Sequence, residues 1–179
     1  ARASGRLADG EASIDGRVSA GRGADVTVTG SVPVEAGGGL SLRARGNLDV
    51  ALANSMLSTG GQRVAGRVVL DAGVTGTVAA PKVEGSATLS GGSLTDPLNG
   101  IRLTDIQGRV TGRGDTIVIE RLTAATRNGG RLSVDGRVAM EPASGFPGNL
   151  RITADRAELV SSPLMTAVSS LNLALSGPL

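Results

Sequence analysis

Between Val64 and Val78 the chain alternates strictly. Even positions carry Val64, Gly66, Val68, Leu70, Ala72, Val74, Gly76 and Val78; odd positions carry Ala65, Arg67, Val69, Asp71, Gly73, Thr75 and Thr77. Successive side chains of an extended strand point to opposite faces. The stretch therefore predicts a strand with one face aliphatic or glycine and the other mostly polar. Past Pro81 the alternation resumes on odd numbers, with Val83, Gly85, Ala87 and Leu89. The unit apolar-x-Gly-x-apolar occurs at 64–68, 74–78 and 83–87, and again at 14–18, 28–32, 44–48, 106–110, 134–138 and 175–179. Such recurrence predicts a quasi-repetitive, elongated sheet that stacks neighbour on neighbour.

Read along the chain, the same rule predicts about ten or eleven strands. Residues 1–10 show little pattern. Strands are expected over 12–19, over 24–34 with Pro33 limiting pairing on one side, and over 40–48. Leu48–Leu57 fits two periods; a strand to about Ala53 is expected, then a short helical or irregular piece through Thr59. Gly91-Gly92 is expected to break the strand begun at Val83, with Leu94 opening a short one. Pro97-Leu98-Asn99-Gly100 predicts a turn. A change of parity near Thr104-Asp105 predicts a β-bulge, and another change precedes Leu122. Gly112–Asp115 and Asn128–Gly130 read as turns, Leu132–Met140 as a regular strand and 141–149 as a loop. Leu150, Ile152 and Ala154 follow, then a less regular stretch from Ala157 to Ser169, then a last strand at Leu171–Gly177. No long helix interrupts, so the fold class is all-β without βαβ units.

Composition sharpens this picture. Of 179 residues 28 are glycine, and Phe146 is the one aromatic residue. An interior of Val, Leu, Ile, Ala and Gly lacks the large rings that dominate most cores, so it is either thin or a groove that something else fills. Glycine on an apolar strand face has two readings: it lets the sheet coil and neighbouring strands approach, or it leaves room for an acyl chain. The net charge is +2, from 18 basic and 16 acidic residues. Charges alternate in sign along strands, as at Asp15 and Arg17 or Asp135 and Arg137, which suits a solvated face. A basic stripe with stacking aromatics is missing, so nucleic acid is not an expected partner. The chain opens without Met and ends on LSGPL in mid-pattern; it is expected to be a piece of a longer protein.

Catalysis has little to stand on, and neither an enzyme nor a cofactor is expected. Cysteine and histidine are absent, which removes disulfides and the usual transition-metal ligands. A serine nucleophile would need Lys82, the one lysine, with Ser86 four residues on; a surface lysine beside a turn explains it as well. Asp96, Asp105 and Asp115 fall at turns, where aspartate serves local hydrogen bonding. Arg113-Gly114-Asp115 spells an adhesion tripeptide, at a hairpin tip.

Val74-Thr75-Gly76-Thr77 is followed by Pro81-x-Val83-x-Gly85, then Leu103-x-Asp105-Ile106, then Gly130-x-Leu132-x-Val134-x-Gly136. In this order and spacing the motifs resemble the TamB family, the inner-membrane component of the translocation and assembly module, within the AsmA-like, bridge-like lipid-transfer group. The resemblance covers 39–179, with 1–38 as leading strands of the same sheet. It implies a β-taco: an elongated, strongly curved sheet folded along its length, with an apolar groove inside and a polar exterior. It implies a periplasmic setting in a Gram-negative bacterium, a parent chain anchored in the inner membrane, and phospholipid transfer between the two membranes. Val68, Leu70, Val74, Val83, Leu89, Ile106, Val110, Leu132, Val134 and Val138 would then line the groove and contact acyl chains, or else simply pack on one another. The alternative function is assembly or translocation of outer-membrane proteins and autotransporters with the barrel protein TamA, by strand pairing. Unpaired edge strands would also allow self-association.

Overall fold

The computed structural model describes residues 2–8, 11–20, 23–34, 37–57, 61–162 and 165–178. Eleven strands follow one another: β1 (Arg2–Ala8), β2 (Glu11–Ala20), β3 (Ala24–Pro33), β4 (Leu40–Asp49), β5 (Arg63–Gly76), β6 (Pro81–Asp96), β7 (Ile101–Gly114), β8 (Thr116–Ala125), β9 (Arg131–Ala139), β10 (Pro147–Ser162) and β11 (Met165–Pro178). Each pairs antiparallel with its chain neighbours, so the order across the sheet is the order along the chain. The fold is one open all-β meander, not closed into a barrel, with β1 and β11 as its edges.

Several expectations change on inspection. Residues 2–8 form β1, in register from Arg2 opposite Arg17 to Ala8 opposite Glu11; glycine and single charges hide its alternation. The strand through Leu48 stops at Asp49, not Ala53. The Asp49 carboxylate accepts from the Ala51 N–H at 2.9 Å, capping a 3₁₀ turn at Val50–Ala53 that runs into a helical turn at Asn54–Leu57. Residues 58–60, including Thr59, lie outside the described residues. Gly91-Gly92 does not break its strand. β6 passes through it, and the register steps from Leu89 opposite Gly108 to Gly92 opposite Ile106. Gly91, at φ +58°, absorbs the extra residue as a bulge. The less regular stretch expected at 157–169 belongs to two strands: β10 continues to Ser162 with register shifts between Ala154 and Ala157 and between Glu158 and Val160, β11 starts at Met165, and residues 163–164 lie outside the described residues. The loop expected at 141–149 is shorter, since β10 begins at Pro147.

Other expectations hold. The turn at 97–100 forms, closed by Asp96, whose carboxylate accepts from the N–H groups of Leu98 and Asn99 at 3.1 and 3.2 Å. The bulge at Thr104-Asp105 is present, with Asp105 at φ +50°, and the register shifts again between Ile119 and Leu122.

The interior is thin. Among the described residues the buried apolar side chains are Ala24, Ala124, Ala154 and Ala157, with Pro81 at the start of β6, and no large side chain is fully buried. In a two-sheet sandwich the inner faces cover one another; here all the described strands belong to one sheet. The alanines 124, 154 and 157 cluster where the β8–β9 turn tucks against β10. There the Glu158 N–H donates to Thr126 Oγ1 at 3.1 Å, and Asn128 Nδ2 donates to the buried Glu158 carboxylate at 2.7 Å. Cα atoms of β7 and β10 come within 8 Å, whereas three strand spacings in a flat sheet would separate them by about 14 Å.

Candidate functional site: the apolar face

The ten residues expected to line a groove all fall on one face of the sheet. Every register partner they have is aliphatic or glycine: Val68 sits between Leu48 and Leu89, Leu70 between Gly46 and Ala87, and Val134 between Leu122 and Ile152. The row through Leu70 starts at Val18 on β2, in register with Val26 on β3, and passes Gly46, Ala87, Val110, Ile119, Gly136 and Leu150 before it ends at Leu175 on β11. All ten are half-buried, none fully buried and none fully exposed. Cross-strand neighbours of the same aliphatic or glycine type flank them.

The face also includes Leu42, Ile117, Ile119, Leu122, Leu150 and Ile152. For Ile119 and Leu122, whose parities differ across a register shift, the pairing shows that both segments share the face.

Two glycines of this face are filled from the side. At Gly85, φ is +118°, and a Cβ would fall on the Asp71 carbonyl oxygen and 2.7 Å from Ala72 Cα; at Gly46, φ is +149°, with Val26 Cα 2.6 Å away. Neighbouring backbone occupies the place of the missing side chain, so at these two positions close approach of strands requires glycine.

The opposite face is charged. Asp71 accepts from Arg45 Nε at 3.0 Å, its direct partner across the ladder, and from Arg43 Nη2 at 2.9 Å on the diagonal. These arginines, Arg45 foremost through its hydrogen bond, hold the Asp71 carboxyl below the ordinary carboxylate range. Arg17 does the same for Asp25, through a hydrogen bond at 2.8 Å. All these side chains are more than half exposed, so solvent screens the pairs and they add little to stability; they keep this face in water. Two surface hollows of about 320 and 290 Å³ lie on this charged face, lined by Asp135, Arg137 and Arg151 and by Arg121, Arg131 and Thr123.

The remaining candidate chemistry dissolves in the geometry. Lys82 and Ser86 are four residues apart on β6, about 13 Å in extended chain, and Ser86 Oγ accepts from Arg109 Nη2 at 3.2 Å. Asp96, Asp105 and Asp115 each serve a local turn or bulge. Among the described residues no three acidic side chains are grouped to hold a metal ion, and no helix is long and apolar enough to cross a membrane. No family model matches the chain, and no curated protein or solved structure matches it.

Proposed function

We propose that this chain is a periplasmic segment of a TamB-like protein, whose apolar sheet face carries phospholipid acyl chains between two membranes. The observation that carries the reading is the row of aliphatic and glycine residues that continues from strand to strand on one face of a single open sheet, with the ten expected groove residues all half-buried. Leaving that face to water is costly. Each methylene removed from water contributes ~0.8 kcal/mol, so one acyl chain laid along it gains on the order of 10 kcal/mol before ordering costs. In this reading the sheet folds lengthwise into a β-taco around the groove; the approach of β7 to β10 supports such a curl. The open edges favour a second reading, strand pairing with an outer-membrane barrel partner of the TamA kind during protein assembly.

The test is site-specific photo-crosslinking in cells, in the parent protein, at Leu70 and Val134 against Asp71 and Asp135. Phospholipid adducts at the first pair alone are expected, and Leu70→Arg should abolish the Val134 adduct without loss of the β-sheet circular dichroism signal. Absence of adducts at all four positions, with protein adducts at β1 or β11, would overturn lipid transfer in favour of strand pairing.

A further inference from the structure

The charged face is not neutralised evenly. Arg17 holds Asp25, and Arg43 and Arg45 hold Asp71. Arg121, Arg131 and Arg151, on β8, β9 and β10, have no such partner among the described residues. Beside them runs a row without charge. Thr123, Ser133 and Thr153 stand in direct register on the three strands, and the row extends to Gln107 on β7 and Asn172 on β11. Neighbouring threonine and serine can hydrogen-bond across a ladder, yet these three hydroxyls bond to no described protein group. All three residues are half-buried. They line the hollow of about 290 Å³, together with Arg121, Arg131 and Asp155. Arg121 lies two residues before Thr123, and Arg131 two before Ser133. Because β8 and β9 run in opposite directions, the two arginines bracket the row from opposite sides, with their Cα atoms about 13 Å apart along the strands.

We propose that this hollow binds a phosphate monoester, between Arg121 and Arg131 and over the hydroxyls of Thr123, Ser133 and Thr153. A guanidinium fork matches two oxygens of an oxyanion. A tetrahedral phosphate offers oxygens in several directions, so it can meet a fork on each side and a hydroxyl beneath. A planar carboxylate is matched by one fork alone. The volume equals that of about ten waters at ~30 Å³ each, which leaves room for the group that carries the phosphate. Two carboxylates lie nearby. Asp155 stands against Arg156 Nε at 3.9 Å, and Asp135 is opposite Arg151. Arg121, Arg131 and Arg151 outnumber them, so the surroundings stay positive. A free phosphorylated molecule and a lipid head group present the same chemistry here. The site lies on the face away from the apolar row, and it does not rest on an acyl chain being bound there.

Titration calorimetry of the 179-residue chain with glycerol 3-phosphate at fixed ionic strength tests the site. Glycerol serves as the blank, and circular dichroism verifies the sheet. Saturable binding is expected with glycerol 3-phosphate and not with glycerol. Arg121→Gln and Arg131→Gln should each weaken it about tenfold or more, through loss of a charge-assisted hydrogen bond. Thr153→Val removes a hydroxyl and no charge, and should weaken it roughly threefold. Arg45→Gln takes the same charge from the same face outside the hollow, and should change the affinity less than about twofold. Flotation with phosphatidylcholine vesicles, with and without phosphatidic acid, separates the two sources. Flotation that needs phosphatidic acid and fails in Arg121→Gln assigns the phosphate to a lipid head group. Calorimetric binding without flotation assigns it to a free molecule. Absence of both overturns the inference. So does an Arg45→Gln loss equal to that of Arg121→Gln, or a Thr153→Val variant that binds like wild type. None of these outcomes depends on lipid adducts at Leu70 or Val134.

Discussion

Gly85→Ala decides why glycine lines the apolar face. The residue lies in β6 at φ +118°, a region where an L-residue costs about 1–3 kcal/mol. Its Cβ would meet the Asp71 carbonyl oxygen, with Ala72 Cα at 2.7 Å and Asp71 C at 3.0 Å, against an ordinary carbon contact of about 3.5–4.0 Å. Those atoms are backbone, held in register with β4 on their far side, and cannot swing away. Relief requires β5 and β6 to part locally, with one or two ladder hydrogen bonds lost at about 1 kcal/mol each. The expected destabilisation is therefore about 2–5 kcal/mol, a large share of the ~5–15 kcal/mol that holds a domain folded. Without Trp or Tyr, urea unfolding has to be followed by far-ultraviolet circular dichroism. The control is Gly39→Ala, where a Cβ meets nothing within 4 Å and φ is not positive; its effect should stay within about 0.5 kcal/mol. Should Gly85→Ala behave like the control, strand approach would not be the cause of the glycine pattern, and the glycines would stand for open room.

Two further outcomes are expected. Thr126→Val removes the acceptor of the Glu158 N–H while keeping the shape, and leaves a buried donor unpaired; stability should fall by about 1–3 kcal/mol, with faster hydrogen exchange at the Glu158 amide. Asp96 is held below the ordinary carboxylate range by the Asn99 side chain first, then by the Asn99 N–H and by Gln62 Nε2 at 3.0 Å. A carboxyl depressed in the folded state adds stability above its unfolded value of about 3.9, and that contribution disappears as pH falls through the folded value. Asp96→Asn should therefore be less stable than wild type at neutral pH, and the gap in urea midpoint should close on acidification below about pH 4; a gap constant with pH would refute the assignment.

Which residues share a face was legible in the sequence, because side-chain alternation is a property of one extended strand and needs no partner. Val64–Gly76 and Leu132–Val138 declared their inner rows directly, and Pro97–Gly100 and Asn128–Gly130 declared their turns through residues that favour local hydrogen bonding and positive φ. What Gly91-Gly92 does was not legible: a glycine pair stops a strand or bulges it according to whether the next strand can shift register to match, and β7 does so with its own bulge at Asp105. The stop at Asp49 turned on one carboxylate reaching the Ala51 N–H instead of solvent. The filling of glycine positions by a neighbour's backbone, the union of Ile119 and Leu122 on one face and the assignment of β11 to an edge all depend on pairing between distant residues. The alternation told each strand which side was apolar; only the assembled sheet decided that these sides join into one continuous face, because pairing register is a relation between strands and no single strand carries it.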